Sequence, residues 1–150
     1  MTLNINLLAY FDQLSIEYKA GQKYCYDPIR KKMLVLSPEE VVRQLMVLYL
    51  QKEKGYPANK IKLEKGLKVN QMAKRCDILV YDTAFRPFLL IECKSAKVPI
   101  NDQVFKQIAQ YNMTLKVPYL LVTNGALHFC SAMDYTKDSY HFLESIPRYL

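Results

Sequence analysis

Two apolar runs, "CDILVYD" (Cys76–Asp82) and "PFLLIECK" (Pro87–Lys94), are separated only by "TAFR". Short runs rich in β-branched and aromatic residues, bounded by turn residues, read as strands, and so short a link reads as a hairpin. The second run ends on Glu92 and Lys94 with Cys93 between them. Charges are costly to desolvate at the end of a buried strand unless they are paired or used. A turn centred between Ala84 and Phe85 sets Asp77 opposite Glu92. Such cross-strand partners share a face with Cβ atoms about 4.5–5.5 Å apart, and the pleat puts Lys94 on that face too.

The 150 residues suffice for one domain with a real core and fall short of two. One domain is expected over 1–150, with its core at about 27–147. No run approaches the roughly 20 apolar residues of a membrane span. The N-terminal "MTLNINLLAYFDQ" has neither a basic n-region nor a small-residue cleavage site. A cytoplasmic, reduced protein with no membrane partner is expected. Four scattered cysteines and two histidines, with no C-x-x-C spacing, argue against zinc. His128 and His141 read as strand residues rather than catalytic bases. The net charge of +7 suits a polyanionic partner such as nucleic acid, although basic chains also arise for solubility.

"SPEEVVRQLMVLYLQKEKG" gives the clearest helix, with Ser37 as N-cap, Pro38 in the first turn and Gly55 as the stop. Val41, Val42, Leu45, Leu48 and Tyr49 mark its apolar face. "KYCYDPIRKKMLVLS" reads as two strands about a basic turn, and Ile61 to Glu64 as another strand. "NDQVFKQIAQYNMTL" is a second amphipathic helix capped by Asn101 or Asp102. "PYLLVTNGALHFCSAM" is strand, Asn-Gly turn and strand, and "DYTKDSYHFL" adds a last turn and strand. The expected fold is α/β, a mixed sheet flanked by helices.

Facing carboxylates repel each other unless a cation lies between them. A hard ion such as Mg²⁺ takes carboxylate oxygens and leaves positions for water and phosphate. It lowers the pKa of bound water and stabilises charge on a phosphodiester. Lys94 would then orient that water, and the Cys93 backbone carbonyl would be a further ligand while its side chain points into the core.

Asp77 followed by Glu92-x-Lys94 on the next strand resembles the PD-(D/E)XK nuclease superfamily, with its restriction-endonuclease-like mixed β-sheet. The resemblance is closer to the N-terminal nuclease domain of type I restriction enzyme R (motor) subunits. It runs from "DPIRKKMLVLSPEEVVRQ" through "CDILVYD", "LLIECK", "QIAQYN" and "LVTNG" to "SIPRYL". It implies that Asp77 and Glu92 bind Mg²⁺, with Mn²⁺ as a substitute, and that Lys94 supports the attacking water. It implies an acidic role at the metal or water for Glu40, and substrate positioning by the Q-x-x-x-Y pair Gln107 and Tyr111. The implied activity is DNA phosphodiester hydrolysis. Cys76 stands where the motif has Pro, and the 150 residues hold no helicase motor, so a separate motor or specificity subunit is an expected partner.

Each residue also has a plainer reading. Glu92 and Lys94 would serve as a structural ion pair, which leaves Asp77 unaccounted for. Glu40 forms S-x-x-E with Ser37, a capping box, and Glu39 is the lesser candidate beside it. Gln107 and Tyr111 would border the two faces of their helix. Lys60, Lys62, Lys65, Lys68, Lys74 and Arg75 are solvated charge or contacts to a DNA backbone, which give affinity without sequence choice. The alternative function is a non-cleaving nucleic-acid- or protein-binding module on the same fold. A third reading is a homo-oligomer with a tyrosine-rich interface.

Overall fold

The structure is a computed structural model that describes residues 2–69 and 72–149, with the side chains of 67–74, 111 and 114 outside the description. Two sheets form. The smaller is antiparallel, in the order β1 (Ile16–Lys19), β2 (Gln22–Asp27) and β3 (Lys32–Val35). The basic segment Arg30–Lys32 links β2 to β3 as expected, whereas β1 was not anticipated.

The larger sheet has six strands in sequence order: β4 (Ile61–Val69), β5 (Met72–Tyr81), β6 (Pro87–Cys93), β7 (Tyr119–Thr123), β8 (His128–Asp134) and β9 (Ser139–Phe142). Neighbours are antiparallel except β6 and β7, which are parallel. Parallel neighbours need a crossover, and α2 (Asp102–Asn112) supplies it. The expected mixed α/β sheet is therefore present.

The other helix, α1 (Pro38–Lys54), has the predicted ends. Ser37 Oγ accepts from the Glu40 N–H at 3.1 Å, and Gly55 closes the helix at φ 74°. Glycine reaches that left-handed conformation without a Cβ penalty. Its buried apolar stripe is Val42, Leu45, Met46 and Leu50; Val41, Leu48 and Tyr49 of the anticipated face are only half-buried. The stripe packs on Ile78, Val80, Leu89, Ile91 and Leu121. Phe105 and Ala109 of α2 pack on the opposite face, against Leu79, Leu90, Leu120 and Val122. Burying such side chains contributes about 1.5–3 kcal/mol each. Covered on both sides, β5 and β6 are held still by their apolar runs. No helix of the described residues is long and apolar enough to cross a membrane.

The β5–β6 register pairs Ile78 with Ile91 and Leu79 with Leu90, the alignment the sequence predicts, and the paired stretch ends one position short of Asp77 and Glu92. A bulge at Val80/Tyr81 offsets only the turn end. Alternation breaks just before Ile78. Cys76 joins the α2-side core with Leu79, while Ile78 joins the α1-side core. Strict pleating would put Cys76 and Ile78 on one face.

A candidate metal centre around Arg43

That break turns Asp77 toward α1. Its Oδ2 accepts the Cys93 N–H at 2.8 Å, and its Oδ1 lies 3.2 Å from Arg43 Nη2. On β4, Leu63 pairs with Ile78 and Lys65 with Cys76, which leaves Glu64 beside Asp77. Glu64 holds φ 54°, a left-handed conformation that costs a non-glycine residue on the order of 1–3 kcal/mol. Its Oε1 reaches Arg43 Nη2 at 2.6 Å.

Arg43 is 95% buried from solvent, at 5% relative exposure, and collects four acids. Nη2 meets Glu64, Asp77 and, at 3.3 Å, Glu39; Nη1 donates to Glu40 Oε1. Glu40 Oε2 in turn accepts from Arg30 Nη2 at 2.6 Å and Gln44 Nε2 at 3.0 Å. Arg30 also pairs with the fully buried Asp27 at the end of β2. Burial alone would lower the Arg43 pKa, but the surrounding Glu40, Glu64 and Asp77 hold it above its ordinary value. Burial raises the Glu39 pKa, and repulsion by Asp77 adds to this, while Arg43 and Lys94 pull it back.

Lys94 follows β6, is half-buried, and anchors its N–H on the Thr123 carbonyl at 2.8 Å. Its influence on Glu39 ties its charge to the same acidic cluster. Glu92 is half-buried and level with Val122 of β7. The Cys93 side chain is fully buried in the α1-side core, as expected. Its thiol is pushed well up by burial and by Asp77, so it stays neutral. All four cysteines are buried.

Glu40 makes only half of the predicted box. Ser37 caps the Glu40 N–H, but the Glu40 carboxylate goes to Arg43, Arg30 and Gln44. On α2, Gln107 is exposed. The side chains of Tyr111, Lys68 and Lys74 lie outside the described residues. Lys60, Lys62, Lys65 and Arg75 are exposed or half-exposed. His128 is buried on β8, with Nδ1 at 2.8 Å from Thr123 Oγ1, whereas His141 lies on β9.

Sequence reasoning missed Arg43, Glu64, Arg30 and Asp27. The i, i+3 and i, i+4 spacings of Glu40 and Glu39 to Arg43 were a legible signal. Nothing local marks Glu64, whose role arises only from strand pairing.

Carboxylate oxygens are the donors that a hard divalent ion takes, but here four acids gather on the Arg43 guanidinium. Among the described residues, however, no three Asp, Glu, His or Cys side chains form a ready cage. The guanidinium stands at the point of convergence.

The family model described as Type I restriction enzyme R protein N terminus (HSDR_N) matches residues 38–147, and the chain belongs to this family. Among solved structures, the chain is similar to a fragment assigned to the HsdR subunit of a type I restriction enzyme from Vibrio vulnificus YJ016. The two are 23% identical with a TM-score of 0.49, over 73% of this chain and 23% of that one. The chain therefore spans under a quarter of that fragment's length. No curated protein matches the chain.

Proposed function

We propose that this domain hydrolyses DNA phosphodiester bonds with Mg²⁺ or Mn²⁺, as a nuclease domain that works with a separate motor or specificity subunit in the cytoplasm. The observation that carries the reading is the sequence set of Asp77 on β5, Glu92 on the adjoining β6 and Lys94 just after it. Family membership supports it.

Asp77, Glu92 and the Cys93 carbonyl would hold the ion, with Glu40 behind them. The bound ion supplies a lowered pKa for water and stabilises charge on the phosphate. Lys94 orients the water for in-line attack and balances the added negative charge. The Cys93 N–H fixes Asp77 Oδ2, so this carboxylate is already oriented. Gln107 and Tyr111 position substrate from α2.

A groove of about 530 Å³ opens beside the cluster, with Arg30, Lys32 and Arg75 around Glu40, Arg43 and Glu64. Cationic side chains there match the phosphates of a DNA backbone. The test is incubation of the purified protein with single-stranded, duplex and branched DNA and Mg²⁺ or Mn²⁺. Cleavage that Lys94→Ala abolishes is expected; no cleavage above that variant on any substrate would overturn the reading.

A second reading is a non-cleaving binding module, favoured by the one observation that Arg43 stands among the acids. Calorimetric titration with Mn²⁺ separates the two, because a pure binder takes up no ion at Asp77. Sizing chromatography addresses a homo-oligomer.

A further inference from the structure

We infer that Phe85 is a stacking platform for an unpaired base of a bound DNA strand, and that the cationic edge of β4 leads the phosphates of that strand to it. This rests on the DNA reading above and deepens it by naming the form of substrate, a single-stranded segment. It involves no metal ion.

Phe85 stands in the β5–β6 turn with 66% relative exposure. The turn beneath it is braced from within. The Phe85 N–H donates to the Asp82 carbonyl at 3.0 Å, the Asp82 N–H donates to the Arg86 carbonyl at 2.8 Å, and Asp82 Oδ1 accepts from the Ala84 and Arg86 N–H groups. Phe85 itself is held at φ 59°. That left-handed conformation suits glycine and is an outlier for a bulky side chain. A residue selected for the turn alone would be Gly, Asn or Asp. The ring is thus kept against the preference of its own backbone, and strain of this kind gathers where a side chain has a task.

Lys60 supplies the second observation. Its Nζ lies 3.2 Å from the centre of the Phe85 ring, a cation–π contact that covers one face and steadies it. A base needs only the other face, and the ammonium then stands close to the phosphate of the stacked nucleotide.

The approach to the ring is the third. Lys60 immediately precedes β4, which is the edge strand of the larger sheet. A cavity of about 540 Å³ follows this edge, between Ile61–Gly66 and the Pro28–Lys31 turn, with Arg30, Lys31, Lys62 and Lys65 in its walls. It shares Arg30, Leu63 and Glu64 with the groove beside the acidic cluster, so the two make one path. From Ile61 to Gly66 the edge runs roughly 17 Å, room for several phosphates. The acids on the way are already matched, Glu64 with Arg43 and Asp82 with Arg86, which leaves the lysines to a polyanion. Lysines on an edge strand also discourage pairing with another chain, but that leaves the strained, exposed ring beside them without a role. A cationic track ending at an aromatic face binds single strands with little regard to sequence. A blunt duplex keeps its bases inside the stack and offers the ring nothing.

The test is fluorescence anisotropy in EDTA, with a single-stranded oligonucleotide and a blunt duplex of the same length. The wild type is expected to bind the single strand at least about fivefold more tightly, the lower bound for one stacked base. Phe85→Ala should weaken single-strand binding by about 5- to 150-fold and duplex binding by less than about twofold, whereas Phe85→Trp should keep the preference. Lys62→Ala should weaken both forms alike and reduce the salt slope by about one. A 2-aminopurine base in the single strand is expected to be quenched by the wild type and not by Phe85→Ala. Single-strand binding that Phe85→Ala leaves unchanged, an equal loss for the duplex, or a wild type that prefers the duplex overturns the inference and leaves the DNA reading standing. If the wild type binds neither form, the inference falls, and cleavage by the same protein decides the DNA reading separately.

Discussion

Asp77 and Asp82 flank the same apolar run of β5, Ile78–Tyr81, yet they draw their partners from different distances along the chain. Asp82 Oδ1 accepts from the N–H groups of Ala84 and Arg86, two and four residues away, and its Oδ2 from Arg86 Nε. Those backbone hydrogen bonds, the Arg86 one foremost, hold its carboxyl below the usual range. It is a turn residue, and any chain with this hairpin would profit from it. Asp77 instead takes Cys93 across the strand pair and Arg43 from a helix 34 positions away. Local partners build the hairpin. Distant partners in a buried setting build a site, because there each unpaired charge is expensive.

Breaking the contrast should give graded results. Asp77→Ala is expected to abolish Mn²⁺ binding and reduce DNA cleavage by at least about a hundredfold, the scale of losing a directly stabilising group, whereas Asp82→Ala should leave both intact. Parallel calorimetry and cleavage assays on the two variants check this. Glu40→Ala removes the acceptor shared by Arg43, Arg30 and Gln44. Arg43 keeps Glu64 and Asp77, and Arg30 keeps Asp27, so the lost charged hydrogen bonds should cost about 1.5–3 kcal/mol in urea unfolding, and a loss under about 1 kcal/mol would mean the network is held by something else.

On the hairpin side, Arg86 is 77% exposed in its pair with Asp82. Arg86→Ala should change stability by no more than about 0.5 kcal/mol, measured by the same unfolding curves.

The smallest effect is expected from pH. Burial lowers the His128 pKa from its ordinary 6.5. The unfolded chain then binds the proton more readily than the folded one, so the contribution of neutral His128 is fully present above about pH 6.5. It is lost as the pH falls through the lower folded value. The slope of unfolding midpoint against pH below 6.5 should be shallower in His128→Gln, and an unchanged slope would assign it to other groups.

Much of this was written in local sequence. Ser37 and Gly55 set both ends of α1, because capping needs only near neighbours. The apolar runs around "TAFR" fixed a hairpin in the expected register, since a slip by one residue would turn every buried side chain to the wrong face. The first strand, Ile16–Lys19, escaped notice because it is nearly all exposed and carries no alternating apolar signal. Glu40 was legible as part of S-x-x-E, but its carboxylate chose Arg43 and Arg30 over the cap once α1 packed on the larger sheet and the β2–β3 turn brought Arg30 to it.

The sequence by itself determined both α-helices and the strands other than β1, the Asp77, Glu92, Lys94 pattern and the family in which that pattern occurs. Only the tertiary structure decided that Asp77 turns toward α1, that Glu64 joins it, and that Arg43 stands among four acids. Spacing and propensity act over a few residues, whereas these contacts are made by strand pairing and helix packing across the chain. There the cost of burying a charge, rather than local preference, selects each partner.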